Sequence, residues 1–133
     1  MAIRFLKVAA AYLMLGVTMG FGMGITHQFQ YAPVHAHVNL LGWATQALVA
    51  LIYRVFPQAA ETRLARLHFG MHNIGLPVFM ASLFLLIAGH AWAQAGVAVG
   101  AAITLTGIAL FVANLARTLD GRAPARAAGP IAP

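Results

Sequence analysis

The chain has 133 residues, of which 62% are hydrophobic and 8% charged, with a formal net charge of +6 and no cysteine. A soluble domain of this length carries about three times that charged fraction, so the mean hydropathy of +0.83 excludes that class. Without cysteine, disulfides, thiolate-ligated iron–sulfur clusters and covalent c-type haem are excluded, and His and Met remain as the soft ligands.

Four apolar runs of about the 20 residues that a spanning helix needs follow one another at 8–26, 35–53, 69–89 and 96–116, and none contains Asp, Glu, Lys or Arg. The expected fold is an all-α integral membrane protein. Four transmembrane helices with short connections form an antiparallel bundle over residues 1–119. The tail 120–133, rich in Pro, Ala, Gly and Arg, is expected to be disordered.

The first run follows Arg4 and Lys7, a layout shared with signal peptides. It is longer than a signal h-region and ends in Gly24-Ile25-Thr26-His27 without a small-x-small cleavage pattern, so a retained helix is expected. Gly16, Gly20 and Gly24 form a tandem GxxxG series that allows close helix packing. Met19, Met23 and His27, four apart, share a face. Thioether and imidazole together suit Cu(I), although methionine serves more often as adaptable packing.

The second run opens with His35-Ala36-His37-Val38-Asn39-Leu40-Leu41-Gly42-Trp43. Ionisable or metal-binding side chains inside a bilayer are costly, which makes the pair a functional-site candidate. Residues i and i+2 of an α-helix lie about 200° apart, so the two rings serve two sites, one on each side, rather than chelating one ion. Pro33 as the first helical residue would leave both rings near water. The inward continuation from Asn39 to Trp43 instead predicts that His37 is buried.

His68 and His72 open the third run, four apart on one face, a spacing that can chelate a metal. No carboxylate, Glu61 included, stands in the register of a metalloprotease-type helix. Hydrogen bonds between helices, with Asn73 as a further polar partner, are the expected role. Pro77 removes a donor and frees the Asn73 carbonyl, predicting a kink near mid-helix.

The eight basic residues fall on one side: Arg4 and Lys7; Arg54, Arg63 and Arg66; Arg117, Arg122 and Arg126. The positive-inside rule then puts both termini and the middle loop in the cytoplasm, in a bacterial-type inner membrane. The charge reports topology and contact with the lipid bilayer rather than nucleic-acid binding. His27, His35, His37 and His90 lie at the outer ends of the helices, and His68 and His72 at the inner. Roughly 15–20 Å should separate the groups, too far for one cofactor. His35 and His37 are the leading ligands. His27 and His90, which as interfacial residues would simply be wet, are alternatives together with Met23 and His72.

The segment from His35 to Pro57 resembles the tenth helix of subunit I in haem–copper oxidases, especially the cbb-type branch and its nitric-oxide-reductase relatives. The His-x-His pair, the Gly42-Trp43 that follows and the aromatic-then-Pro ending occur in that order. Leu67-His68-Phe69 through Asn73-Ile74-Gly75 is similar to the start of the eleventh helix. The resemblance implies that His35 and His37 are axial ligands of haem iron on opposite helix faces, and that His68 is not a ligand.

The family subunit has about twelve helices in three arcs of four. This chain has no counterpart of the copper ligands or of the active-site tyrosine–histidine pair, since Tyr12, Tyr31 and Tyr53 do not fall where one is needed. Its carboxylates, Glu61 and Asp120, lie outside the runs, so no proton-pumping oxidase is expected. A ring of three copies could supply the missing partners, with His35 facing one neighbour and His37 the other. The leading expectation is a membrane protein that binds haem b and works in electron transfer or in O2 or NO binding, more a carrier than an enzyme, with an electron donor or oxidase complex as partner. The alternatives are a copper or zinc site of outer His and Met residues, and a cofactor-free assembly or accessory subunit of an oxidase.

Overall fold

Backbone polar groups cannot be left open in hydrocarbon, and an apolar run therefore closes its hydrogen bonds within itself as helix. The computed structural model describes residues 1–119; the tail 120–133, with Arg122, Arg126 and its expected disorder, lies outside the described residues. Four helices are long and apolar enough to cross a membrane: α1 (Ala2–Thr26), α2 (Phe29–Val55), α3 (Arg63–Ile87) and α4 (Ala91–Thr118). No strand occurs among the described residues. The chain has the character of a multi-pass membrane protein.

Each helix outruns its apolar sequence. A 25-residue helix such as α1 is about 37 Å long, against about 30 Å of hydrocarbon. Its first turns carry Arg4 and Lys7. α1 stops at His27, which takes the left-handed conformation (φ 56°), and α3 stops ahead of Gly89 (φ 97°). Thr62 caps the start of α3, its Oγ1 accepting the Ala65 N–H at 3.0 Å.

α2 is composite. A 3₁₀ turn (Phe29–Tyr31) leads into an α-helical stretch, Ala32–His37, with Pro33 in its first turn, where a missing N–H costs nothing. A π-helical segment, Val38–Ala44, comes next, in which the Thr45 N–H bonds the Leu40 carbonyl five residues back. The α geometry resumes over Thr45–Val55.

α3 packs most extensively on α4, and α1 on α2. The α3–α4 contact runs along Gly96, Gly100, Thr104 and Gly107, spaced four, four and three on one face of α4. A Cβ on Gly100 would lie 2.6 Å from Phe79 Cα, and one on Gly75 2.6 Å from the Thr104 nitrogen, so the two backbones nearly touch. The Gly16/Gly20/Gly24 series works differently. Gly16 faces the Asn39 side chain, Gly20 faces the His35 ring, and Gly24 meets nothing within 4 Å. Gly16 and Gly20 make room for polar side chains, not for a second backbone.

Two buried clusters hold the ends. Val34, Val38, Leu76 and Met80, with Tyr12, Met19 and Phe79 against them, pack near the His35/His37 pair. Phe5, Val49, Ala50, Tyr53, Ala59 and Ala65, with Phe69 and Phe111, pack near the arginines. Apolar side chains otherwise face outward; Phe21 and Trp92 are each 71% exposed. Such a surface is at home only in lipid.

Candidate functional site

The short stretch of true α-helix over Ala32–His37 sends the two rings of the pair to different neighbours. His35 turns toward α1, where a Cβ on Gly20 would lie 2.8 Å from its Cε1. His37 turns toward α3, edge-to-face with Phe79 at 5.3 Å between ring centres. The opposed directions expected from the i, i+2 spacing are present, and α1 and α3 of the same chain stand on the two sides.

Both rings are half-buried. His37 is thus more open than the run from Asn39 to Trp43 predicts. His37 closes the α-helical stretch, and the residues that continue inward after it are in π geometry, which rotates them relative to an α-helical continuation.

The hydrogen bonds distinguish the two imidazoles. His37 Nδ1 lies 2.7 Å from the Pro33 carbonyl. A carbonyl only accepts, so Nδ1 carries a proton and donates it; in the neutral ring the lone pair is then on Nε2. A backbone carbonyl behind the ring is the arrangement that fixes the tautomer and orientation of metal-ligating histidines. His35 Nδ1 instead faces Asn39 Nδ2 at 3.4 Å, while the same amide donates to the His35 carbonyl at 2.9 Å. An amide donor on Nδ1 leaves the proton on Nε2, so His35 is less prepared to ligate through that nitrogen.

The alternative ligands do not join them. His27 is exposed at the end of α1 beside Phe29, and His90 is exposed beside Trp92. Met19 is packed against the apolar cluster of Val34, Val38, Leu76 and Met80, which is the adaptable-packing role. Met23 is half-buried one turn further along α1. No three of the His, Asp and Glu residues come together to hold a metal ion among the described residues.

His68 and His72 are fully buried, 1% and 0% exposed. His72 Nε2 donates to the Leu41 carbonyl in the π segment at 3.0 Å, an interhelical hydrogen bond of the kind expected, while its Nδ1 is buried without a partner. His68 Nδ1 lies 3.5 Å from the Tyr53 hydroxyl, and its ring sits among Phe5, Phe111 and His72. Asn114 ties this end together: its Nδ2 donates to the Ala59 carbonyl at 2.8 Å and toward the Tyr53 hydroxyl at 3.4 Å, and its Oδ1 accepts from Thr62 at 2.7 Å. Asn73 departs from expectation. It donates to the Phe69 carbonyl of its own helix, and its Oδ1 is left buried without a partner.

The two inner histidines stand at different depths from His37 along α3. His37 packs on Phe79, eleven residues beyond His68 and seven beyond His72, or about 16 Å and about 10 Å along α3, so the expected 15–20 Å holds for His68 and not for His72. The shorter distance to His72 arises because α2 begins at Phe29 and α3 at Arg63, so His37 and His72 are each well inside their helices. They still do not share a ligand site, because the His72 Nε2 is committed to the Leu41 carbonyl.

Sequence reasoning missed the π segment, the α4 glycine stripe and the Tyr53–His68–Asn114 network. Two of these leave a trace in the sequence. Gly96, Gly100, Thr104 and Gly107 fall on one helical face, and Asn114 is an isolated amide in an apolar run. No family model, no characterised protein and no solved structure matches the chain.

Proposed function

We propose that this protein binds haem b non-covalently, with His37 as the principal iron ligand and His35 in a secondary role, and serves in electron transfer or diatomic gas binding. The observation that carries the reading is the His37 imidazole, held by its Nδ1–H on the Pro33 carbonyl at 2.7 Å with Nε2 free and the ring half-open. The donor chemistry fits. A neutral imidazole nitrogen with a fixed tautomer is a strong axial ligand, and the surroundings are apolar, as a porphyrin requires. When bound, haem supplies a one-electron couple or a gas-binding position.

What the chain contributes is orientation. Pro33 offers its carbonyl to His37; Phe79 packs on the His37 ring; Asn39 faces the His35 ring on the other side, where Gly20 leaves room for it. One chain offers one imidazole with an open Nε2. Were the iron to take a second imidazole, it would have to be the His35 of a neighbouring copy in the proposed homotrimer, with its ring proton moved off Nε2. A five-coordinate iron keeps one position for O2 or NO. The arginine-bearing end is proposed to be cytoplasmic, in a bacterial-type inner membrane with the four helices antiparallel, which puts the haem toward the outer face.

The test is haem stoichiometry in detergent-purified protein, wild type against a His35→Ala/His37→Ala double substitution. Near-stoichiometric haem that disappears in the double variant is the expected result. Full loading of the double variant removes the assignment to this pair.

A further inference from the structure

At the end of the molecule away from the histidine pair, the first turns of α1 and the last turns of α2 leave an open groove of about 750 Å³, closed at one end by the short helical turn Pro57–Ala60. Its walls are of two kinds. Ile3, Leu6 and Leu51 supply an apolar side continuous with the outward-facing surface of the spans, and all three side chains are exposed. Arg4 and Arg54 supply guanidinium groups, with Glu61 as the one acid, so the fixed side-chain charge in the groove is positive.

Exposed arginines at the ends of apolar helices stand at headgroup level, where a free guanidinium matches a phosphodiester in a two-pronged geometry that a carboxylate or a phosphate alone can satisfy. A free phosphate would use the arginines but leave Ile3, Leu6 and Leu51 without a role. A neutral lipid would use the apolar wall but leave the arginines unpaired. The geometry points to an anionic phospholipid seated in this groove, its phosphate between Arg4 and Arg54 and the upper part of an acyl chain along Ile3, Leu6 and Leu51. The volume lies within the range of ordinary ligand clefts, about 300–1,000 Å³, enough for a headgroup and the beginning of a chain. The remaining chain length belongs in the surrounding bilayer. Basic pockets between spanning helices recognise anionic headgroups by the same chemistry. The groove would also fix the α1–α2 pair at the end where Phe5 and Tyr53 meet edge-to-face at 5.8 Å.

The test uses the full chain in detergent, exchanged into mixed micelles with phosphatidylglycerol or phosphatidylcholine, with retained lipid counted by native mass spectrometry. One retained phosphatidylglycerol in preference to phosphatidylcholine is expected. Arg4→Gln and Arg54→Gln should each weaken retention about fivefold. Arg63→Gln/Arg66→Gln removes two charges outside the groove, twice that of either single variant, and should leave retention unchanged. Equal loss in the Arg63/Arg66 variant would overturn the proposal in favour of diffuse surface attraction. Displacement of the lipid by millimolar inorganic phosphate would overturn it in favour of a simple anion site. The haem content is measured on the same samples, so failure here is separable from failure of the haem assignment.

Discussion

Replacing Gly100 by alanine tests whether α3 and α4 approach as closely as described. The added Cβ would stand 2.6 Å from Phe79 Cα and 2.9 Å from its Cβ, where carbon atoms prefer about 3.5–4.0 Å. The helices must therefore part by roughly 1 Å along a contact that has backbone on both sides and no flexible side chain to yield. Overpacking of this kind costs about 1–3 kcal/mol, and a contact this short falls in the upper half of that range. Gly→Ala in a helix interior returns up to about 1 kcal/mol of propensity, leaving a net loss of about 1–2 kcal/mol. Gly70, on the facing helix α3, meets nothing within 4 Å, so Gly70→Ala keeps the propensity gain without the clash. Thermal unfolding in one detergent, followed by circular dichroism, should place Gly100→Ala below wild type and Gly70→Ala at or above it. Gly100→Ala at least as stable as Gly70→Ala would refute the close approach. Because Phe79 also packs on His37, the same variant should lower haem occupancy.

Other substitutions address the two ends separately. Asn114→Ala removes the amide that joins Thr62, Ala59 and Tyr53; with buried partners left unsatisfied it should cost about 1–3 kcal/mol, read as a lowered midpoint of unfolding, with the haem spectrum of the folded fraction unchanged. His68→Ala should likewise destabilise through the cavity left among Phe5, Tyr53 and Phe111 without altering the position of any haem band; a shifted Soret band would give His68 a ligand role it is not assigned here. His35→Ala should leave haem bound but with weaker retention on dilution, since His37 keeps its own carbonyl partner. Complete loss of haem in that variant would make His35 the principal ligand.

Much of the architecture could be read from the residues because a bilayer makes simple demands. Four uncharged runs give four helices, and His-x-His in a short α-helical stretch sends its rings to opposite sides. The finer features were hidden for identifiable reasons. The π segment Val38–Ala44 carries no composition of its own; within it Gly42 faces Tyr12 and the Leu41 carbonyl accepts from His72, both contacts with other helices. The glycines of α1 looked like a helix-packing motif because spacing cannot tell whether a backbone or a side chain such as His35 fills the gap. Tyr53, His68 and Asn114 belong to three helices, and nothing in their separations of 15 and 61 residues announces that they meet.

The most direct measurement is the absorption spectrum, oxidised and dithionite-reduced, of wild-type protein and His37→Ala purified side by side from haem-replete cells. Haem binding through His37 predicts a Soret band that shifts on reduction in the wild type and is absent from a folded His37→Ala variant. Sharp α and β bands would mark two strong axial ligands, and bands that change on adding CO an open position. A wild-type protein with no Soret band, or a His37→Ala variant with the wild-type spectrum, would contradict it.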